Sequence, residues 1–444
     1  MAKEHHEIRD PIHGFVRLTN RERQFIDSPP IQRLRHIHQL ATTFMVYPGA
    51  THSRFEHSLG VSDIATRIFD VVVREDKLRN VRERLGVDRE TIQYWRNVLR
   101  IAALCHDAGH LPFSHAAESD LLPDGWDHER MTMTLIVDGP LTDPIRDMRP
   151  PIAPMDVAKI AVSPSVLPPS EVERLTEWET VVAEIISGPV FGADRMDYLL
   201  RDSHHTGVAY GRFDQHRLID TIRILPDPPS PPRDDADPSQ SEGLTLGVES
   251  GGLQTAESLL LARYFMFKQV YFHHVRRIYD LHLLDFLKLW LPDGSFLTDT
   301  DKHLSMSDPA IIAEMQKASV DDEHPAHSSA RRFMTRKHYR QVYSPRPDHY
   351  DISPDPGETV FRSLVDVCGK DYVKHDVNYD AGGLPDFPVE LDDEVVVSAS
   401  SASDVLQQNM PLSVDSVYVA PEMVSHARKY LRVNTRRILE GSSL

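Results

Sequence analysis

Two adjacent residues, His106 and Asp107, begin the part of the sequence whose side chains suit chemistry. They follow a stretch rich in Ile, Ala and Leu that predicts a buried helix, and Gly109 and Pro112 predict its end. An imidazole nitrogen next to a carboxylate oxygen can bind one borderline divalent metal, such as iron, zinc or manganese. The dipeptide is common in proteins, so its interpretation depends on what else the chain carries.

A second chemical group precedes this pair, and a third follows it. Arg54 and His57 are three residues apart and share a face if they stand on a helix. A guanidinium beside a metal-binding imidazole can hold a phosphate oxygen while the metal activates water. Asp194, Tyr198 and Asp202 recur every four residues, so one helical stripe presents two carboxylates and a phenol. A salt-bridged helix end explains each group alone, but the whole set indicates a metal-dependent phosphoester site.

The elements that must position these groups are mostly helices. Apolar residues at intervals of three and four predict helices over 58–75, 90–106 and 181–202. A proline-free stretch, 255–290, predicts one long helix or two abutting ones. We therefore expect a mainly α protein with a helical core.

The rest of the chain predicts an insertion and a second lobe. Residues 226–242 contain six prolines and five acidic residues but no large apolar side chain, which predicts a disordered surface insertion. The flanking segments, 223–225 and 244–248, predict the strands of a short β-hairpin. From residue 291 onward, prolines, short charged runs and β-type stretches predict a mixed α/β lobe. We expect a catalytic core over 1–290 and a carboxy-terminal lobe over 291–444.

Composition excludes several classes of protein. The two cysteines, Cys105 and Cys368, exclude a disulfide scaffold and a cysteine-rich zinc module. The charged amino terminus has no apolar signal-peptide core, and no apolar run is long enough to span a membrane, so we expect a cytoplasmic protein. The net charge of -18 does not favour nucleic acid or an anionic membrane as a partner.

Longer strings of the sequence resemble one family, the HD-domain metal-dependent phosphohydrolases. The H…HD…D signature of that family is matched by His57, His106, Asp107 and Asp194. Further strings are similar to its deoxynucleoside triphosphate triphosphohydrolases, which in mammals also carry a SAM domain, and to bacterial relatives of these enzymes. The similar strings are residues 10–14, 31–35, 47–61 and 201–205. The resemblance covers about residues 8–290, fades afterwards, and implies an HD-domain helical core.

The resemblance implies a metal centre and a set of reaction residues. The implied metal ligands are His57, His106, Asp107 and Asp194. They would hold one divalent transition metal (Fe, Mn or Zn), and Mg²⁺ would accompany a triphosphate substrate. The residues implied at the reacting phosphate are Arg54, His110 and His128, which would neutralise its charge. His115 would act as the general acid, oriented by Glu118.

The resemblance also implies the substrate, a deoxynucleoside triphosphate (dNTP), and its contacts. Hydrolysis at the α-phosphorus would release a deoxynucleoside and inorganic triphosphate. The implied contacts are Gln39 and Leu40 for the sugar, Tyr198 and Asp202 for the 3′-hydroxyl, Arg195 and Arg263 for the phosphates, and Tyr271 for the nucleoside. Arg195 stands where the family has a lysine, and Phe267 stands where its mammalian members have a histidine.

Regulation by a second nucleotide is a further implication of the resemblance. Asp27, Gln32 and Arg35 correspond to residues that bind an activating nucleotide, GTP or a dNTP, between subunits of a homo-oligomer. Arg336 and Arg340 would lie opposite them. Surface salt bridges explain the same residues almost as well.

Two other functions stay open. The same metal site could hydrolyse another phosphoester, such as a nucleoside monophosphate, a cyclic nucleotide or the end of a single-stranded nucleic acid, without releasing triphosphate. Alternatively, the fold could belong to a non-catalytic protein that senses nucleotides or binds nucleic acid. A complete set of four metal ligands argues against the second alternative, because a binding module gains nothing obvious from them.

Overall fold

The computed structural model describes residues 5–114, 118–227, 243–380, 384–392, 394–407 and 412–441. Within these ranges the chain is mainly helical and carries three small sheets, which confirms the fold class expected from the sequence. No helix in the described ranges is both long enough and apolar enough to cross a membrane.

The elements of the amino-terminal half surround the residues singled out above. They are β1 (His5–Asp10), β2 (Gly14–Thr19), α1 (Asn20–Ile26), α2 (Pro29–Arg33), α3 (Arg54–Val72), α4 (Glu75–Leu78), α5 (Arg82–Leu85), α6 (Arg89–Cys105), α7 (Glu118–Leu121), α8 (His128–Val137), α9 (Thr142–Arg146), α10 (Pro154–Ala161), α11 (Pro169–Val172), α12 (Glu177–Ser187), α13 (Ala193–Thr206) and α14 (Gln215–Thr221).

The second half alternates helices with short strands. Its elements are β3 (Ile222–Pro226), β4 (Leu244–Glu249), α15 (Leu253–Met266), α16 (His274–Trp290), α17 (Thr300–Ser305), α18 (Asp308–Ala318), α19 (His327–Met334), β5 (Arg340–Tyr343), α20 (Pro347–Tyr350), α21 (Pro356–Cys368), β6 (Val373–Asp380), β7 (Pro388–Glu390), β8 (Val396–Ser398), α22 (Ala399–Ala402), β9 (Leu412–Val419) and α23 (Val424–Leu439).

Helix α3 forms the buried centre of the core. Helices α6, α12 and α13 pack around it, and most of its side chains are shielded from solvent on every face. Its first turns also bury two polar residues, Arg54 and His57. Because a buried polar group is costly without a partner, the neighbouring helices must supply hydrogen bonds to these two side chains.

Helices α3 and α13 meet at a glycine. Gly60 faces the ion pair between Arg201 and Asp197, whose Nε and Oδ2 atoms are 2.8 Å apart. Both charged side chains are fully buried. A β-carbon at position 60 would lie 1.9 Å from Asp197 Oδ1 and 2.4 Å from Arg201 Nη2, so only glycine leaves room for this pair.

The predicted helix over 181–202 is divided in the structure. Helix α12 ends at Ser187, and α13 begins at Ala193. The apolar spacing continues across the break, but Gly188 and Pro189 stop the helix, since proline cannot donate the next hydrogen bond and disfavours a helical residue before it. Because of this break, α13 is a separate helix whose first turn carries the metal-site residue Asp194.

The stretch 255–290 forms two helices, one of the two arrangements that the sequence allows. Helices α15 and α16 are separated by a π-helical turn, Phe267–Tyr271. Such turns often occur at functional sites because they redirect side chains. Here the turn directs Tyr271 toward α13, where its hydroxyl donates a hydrogen bond to Asp202 Oδ2 at 2.7 Å.

The sheets connect the two halves of the chain. Strands β3 and β4 pair antiparallel, as predicted, and most of the insertion between them, residues 228–242, lies outside the described residues. Strand β7 extends this hairpin in parallel to β4, and β8 pairs with β7. A separate sheet, with the order β5-β9-β6, packs against α21 and α23. The division into domains at residue 291 stays a prediction.

The variant Gly60→Ala tests the packing of α3 on α13. The added methyl group must displace the buried Asp197–Arg201 pair, so we expect the free energy of unfolding to fall by about 3 kcal/mol. Chemical denaturation followed by circular dichroism measures this change. Gly243→Ala is a matched control, because a β-carbon there meets nothing within 4 Å. Equal stability of the Gly60→Ala variant and the wild type would contradict this account of the packing.

Candidate active site

Three segments bring four potential metal ligands together. Helix α3 carries His57, the end of α6 presents His106 and Asp107, and the first turn of α13 presents Asp194. His57 Nε2 lies 2.9 Å from Asp194 Oδ1 and 3.8 Å from Asp107 Oδ2. His106 Nε2 lies 3.4 Å from Asp107 Oδ1 and 3.8 Å from Asp194 Oδ1. The four predicted ligands therefore face one another across a space a few ångströms wide.

In each imidazole, a hydrogen bond made by Nδ1 leaves Nε2 facing this space. His57 Nδ1 donates a hydrogen bond to Asp197 Oδ2 at 2.7 Å, and His106 Nδ1 donates to the backbone oxygen of Ala103 at 2.8 Å. Both Nε2 atoms therefore point toward carboxylate oxygens. His106 Nε2 is buried and has no hydrogen-bond partner within the described ranges. A lone pair facing a carboxylate is repulsive unless a proton or a metal ion lies between them.

The donor set fits a divalent transition metal. Donors that bind one ion at about 2.0–2.2 Å lie roughly 3–4 Å from one another, and the imidazole Nε2 atoms lie at about this distance from the carboxylate oxygens here. Two imidazoles and two carboxylates suit iron, manganese or zinc better than calcium. His57, His106 and Asp107 offer ligand atoms that all lie within 4.8 Å of one another and could hold one metal ion, and Asp194 Oδ1 lies beside both imidazoles.

The pKa values of His57 and Asp107 are both shifted in the direction that favours the charged form. Burial alone would lower the pKa of His57, but Asp194 and Asp197 outweigh it and raise that pKa to about 10. Burial would raise the pKa of Asp107, but Arg54 and the nearby imidazoles hold it well below its usual value. The carboxylates are therefore ionised, and the space between them attracts positive charge.

Asp197 orients the site from behind. Its carboxylate accepts hydrogen bonds from His13 Nε2 at 2.6 Å, from His57 Nδ1 at 2.7 Å and from Arg201 Nε at 2.8 Å. Arg201 in turn donates to Asp10 Oδ2 at 2.8 Å. No role is predicted for these residues from the sequence. The available signals are the family-like strings at 10–14 and 201–205, which contain three of them, and the four-residue spacing of Asp197 and Arg201.

A cationic group lies beside the metal-site carboxylates. Arg54 Nη1 donates to Asp107 Oδ2 at 2.6 Å, and Arg54 Nε donates to Ser114 Oγ at 2.8 Å. The rings of His110 and His128 stack with centroids 3.9 Å apart. The structure thus brings together the three residues that the resemblance implies at the reacting phosphate.

Glu118 bonds to His128 in the structure. Its Oε1 atom accepts hydrogen bonds from the ring Nδ1 of His128 at 2.6 Å and from the backbone N–H of the same residue. Burial lowers the pKa of His128, but Glu118 outweighs it and raises that pKa. His115, the expected general acid, lies outside the described residues, so its relation to Glu118 stays a prediction.

A cavity of about 500 Å³ opens beside the metal ligands. Its walls include the expected nucleoside contacts Gln39, Leu40, Tyr198, Asp202 and Tyr271. Both carboxylate oxygens of Asp202 are engaged, one by Tyr271 and the other by His52 Nε2 at 2.7 Å. The cavity has the size and the mixed apolar and polar lining of a small-molecule site.

The two arginines expected at the phosphates lie outside the wall of this cavity. Arg195 stands one residue after Asp194, and its Nε and Nη1 atoms are buried without a hydrogen-bond partner in the described part of the chain. The guanidinium carbon of Arg263 lies 4.7 Å from the centre of the Phe267 ring. Both arginines act electrostatically on Tyr198, a residue of the cavity wall: burial raises the pKa of Tyr198, and the charges of Arg195 and Arg263 oppose that rise.

The expected regulatory residues form a small surface cluster. Arg35 donates to Gln32 Oε1 at 2.9 Å, stacks over Phe55 and lies near Asp27, which pairs with Arg23. Arg336 donates to the backbone oxygen of Met45, and Arg340 bonds to His338. Within the ranges given above, no hydrogen bond or ion pair joins these two arginines to the cluster.

Comparison with known proteins identifies the family. The HD domain profile matches residues 54–161, and the profile of the HD-associated region matches residues 213–355. The chain belongs to the HD-domain phosphohydrolase superfamily. The matched HD domain contains Arg54 and three of the four metal-site residues, and Asp194 lies between the two matched regions.

Several curated proteins are similar to this HD-domain chain. An uncharacterized protein of Methanocaldococcus jannaschii is 36% identical over 274 residues, which are 62% of this chain and 47% of the relative. YwfO of Bacillus subtilis, also uncharacterized, is 33% identical over 63% of this chain and 54% of its own length. The human deoxynucleoside triphosphate triphosphohydrolase SAMHD1 is 32% identical over 49% of this chain and 36% of its own. The chain thus spans about half the length of these relatives, or less.

A solved structure matches nearly the whole chain. It is that of a hypothetical protein from Aquifex aeolicus, with a TM-score of 0.74 and 29% sequence identity, and the match covers 96% of this chain and 100% of that one. The similarity extends beyond the two matched regions, so the carboxy-terminal segment has a counterpart in that structure.

Removal of one carboxylate tests the metal centre. We expect the purified wild type to carry about one equivalent of a divalent transition metal, and Asp194→Ala to carry little, because Asp194 Oδ1 lies close to both Nε2 atoms. Inductively coupled plasma mass spectrometry measures the metal content. Asp220→Ala, at an exposed aspartate of α14, is the matched control. Full metal retention in Asp194→Ala would show that the ligand set is wrong.

Proposed function

We propose that this protein is a metal-dependent hydrolase of dNTPs that releases a deoxynucleoside and inorganic triphosphate. The convergence of His57, His106, Asp107 and Asp194 beside Arg54 and a stacked imidazole pair carries the proposal. Membership of the HD-domain superfamily supports the class of reaction, and the name of the human relative, deoxynucleoside triphosphate triphosphohydrolase, supports the substrate.

The metal-site residues would hold one divalent ion. Such an ion acts as a Lewis acid and makes bound water a nucleophile near neutral pH. The two imidazoles would bind through Nε2, because Asp197 and the Ala103 carbonyl occupy Nδ1 of each ring. These outer partners fix the tautomer and the direction of each ligand, which maintains affinity for the metal.

Arg54, His110 and His128 would bind the α-phosphate. Arg54 is fixed by Asp107 and Ser114, so its guanidinium needs little reorganisation to meet a phosphate oxygen. Glu118 favours the protonated form of His128, whereas burial and the nearby cations Arg54 and His128 keep the pKa of His110 well below its usual value. A cationic and a neutral imidazole thus stack at one place, and both can donate hydrogen bonds to phosphate oxygens.

On the resemblance alone, we propose that His115 is the general acid that donates a proton to the departing 5′-oxygen. Its sequence position, next to Ser114 and three residues before Glu118, is compatible with this role. Because Glu118 bonds to His128 in the structure, we propose that Glu118 orients the reaction centre through His128. An imidazole positioned by a carboxylate is an effective proton donor near neutral pH.

The nucleoside would occupy the cavity beyond the metal ligands. Gln39 Oε1 is buried without a hydrogen-bond partner within the described ranges and can accept a hydrogen bond from a sugar hydroxyl. His52 and Tyr271 hold Asp202 in place, and Tyr198 lies one helical turn closer to the ion site. We assign the 3′-hydroxyl to Tyr198 and Asp202. We assign the terminal phosphates to Arg195 and Arg263, whose charges both act on Tyr198.

Further parts of the proposal concern partners. We propose that Mg²⁺ accompanies the triphosphate, that the chain forms a homo-oligomer, and that GTP or a dNTP activates it at Asp27, Gln32 and Arg35. The proximity of Arg35, Gln32 and Asp27 supports a small anion-binding cluster there. We propose a cytoplasmic location, since a chain with only two cysteines suits a reducing compartment.

Product analysis tests the proposed reaction. The metal-loaded protein is incubated with each dNTP and each ribonucleoside triphosphate, with and without GTP, and the products are separated by ion-exchange chromatography. We expect deoxynucleoside and inorganic triphosphate, and a loss of at least about 100-fold in kcat for Asp107→Asn, with Asp220→Asn as control. Pyrophosphate or orthophosphate as products would indicate another phosphoester reaction. No turnover with any metal would contradict the proposal.

A further inference from the structure

The end of the cavity away from the metal ligands has a polar wall of its own. Along α13, Asp202 follows Asp194 by two turns, a distance of about 12 Å along the helix axis. Tyr271 bonds to Asp202, and Arg276 Nη1 donates to the backbone oxygen of Tyr271 at 2.6 Å. Arg276 and Arg277, at the start of α16, and Asn378, on β6, all line this part of the cavity. This distal wall is therefore assembled from both halves of the chain.

The two arginines of the distal wall are each paired with a carboxylate. Arg276 Nε lies 3.2 Å from Asp280 Oδ2. Arg277 donates to both oxygens of Asp376, from Nε at 2.8 Å and from Nη2 at 2.5 Å. The remaining amino groups, Arg276 Nη2 and Arg277 Nη1, make no hydrogen bond to any described residue. The wall thus offers directed N–H donors with little net positive charge.

Aromatic rings line the cavity next to these donors. The Phe267 ring makes edge-to-face contacts with Tyr271, at a centroid distance of 4.9 Å, and with Phe272, at 5.3 Å. All three residues contribute to the cavity wall. Flat apolar surfaces of this kind bind nucleobases by stacking, independently of the base. Stacking rings beside directed donors are the combination needed to hold a base and to read its edge.

We propose that Arg276, Arg277 and Asn378 read the edge of the nucleobase and select guanine. The inference rests on the proposed function and specifies the preferred substrate of that site. Guanine presents two acceptors, N7 and O6, on one edge, and guanidinium N–H groups pair well with both. Adenine presents a donor, the N6 amino group, where guanine has O6, so it leaves one arginine donor unpaired.

Charge argues for a base at this wall instead of a phosphate. Terminal phosphates need net positive charge, which the wall lacks because Asp280 and Asp376 neutralise its two arginines. At the other end such charge would come from the divalent ion held by the metal-site residues, since Arg54 there is itself paired with Asp107. A nucleotide with its α-phosphate at that end directs its base toward the distal wall.

The ratio of kcat/KM for dGTP to kcat/KM for dATP tests this assignment. We expect kcat/KM for dGTP to exceed that for dATP by about tenfold, and 7-deaza-dGTP, which lacks N7, to fall between them. Asn378→Ala and Arg277→Lys should lower the dGTP to dATP ratio several-fold. Val377→Ala, at the neighbouring residue of β6 and outside the cavity wall, is the matched control and should leave the ratio unchanged.

Binding of the monophosphates dGMP and dAMP, measured by calorimetry, gives a second readout that does not depend on turnover. We expect the same order of affinity and the same effect of Asn378→Ala. Equal values for the two purines in both assays would overturn the inference even if dNTP hydrolysis is confirmed. A uniform loss for all four dNTPs in Arg277→Lys, with unchanged ratios, would also overturn it and assign Arg277 to phosphate. If no dNTP is hydrolysed, the proposed function fails, and the monophosphate affinities still decide whether the wall selects guanine.

Discussion

The hydrogen bond from His57 to Asp197 determines the geometry of the whole site. It fixes the His57 ring with Nε2 toward Asp107 and Asp194, and it joins α3 to α13 at the level of the metal ligands. Asp197 can stay ionised in the core because Arg201 and His13 also donate to it. A buried carboxylate without such partners would cost several kcal/mol. The space left by Gly60 is what allows this network to form.

The same network divides the cavity into ends with different chemistry. The metal-ligand end combines ionised carboxylates with the guanidinium of Arg54, which suits a metal ion and a phosphate together. The middle is defined by Asp202, whose two oxygens are fixed by His52 and Tyr271. The distal end offers aromatic rings and neutralised arginines. This order, from charged to nearly neutral, parallels the order of phosphate, sugar and base in a nucleotide.

Much of this arrangement could be predicted from the sequence, and the remainder follows from long-range contacts. The resemblance located the metal-site residues, and apolar spacing located α3 and α6 to within a few residues. The break between α12 and α13 was missed because apolar spacing continues across Gly188 and Pro189. His13 bonds to Asp197 across 184 positions and Arg201 bonds to Asp10 across 191 positions, and no local pattern reveals such contacts. Arg276 and Asn378, which are also far apart in the sequence, line one cavity, and no local pattern predicts this either.

The account depends most on one ion shared by His57, His106, Asp107 and Asp194. Crystals of the metal-reconstituted protein, with anomalous diffraction collected at the absorption edge of the metal, test this directly. The account predicts a single strong peak about 2.0–2.2 Å from Nε2 of both histidines and from an oxygen of each aspartate. A peak bound by other residues, or no peak between these four side chains at full metal loading, would contradict it.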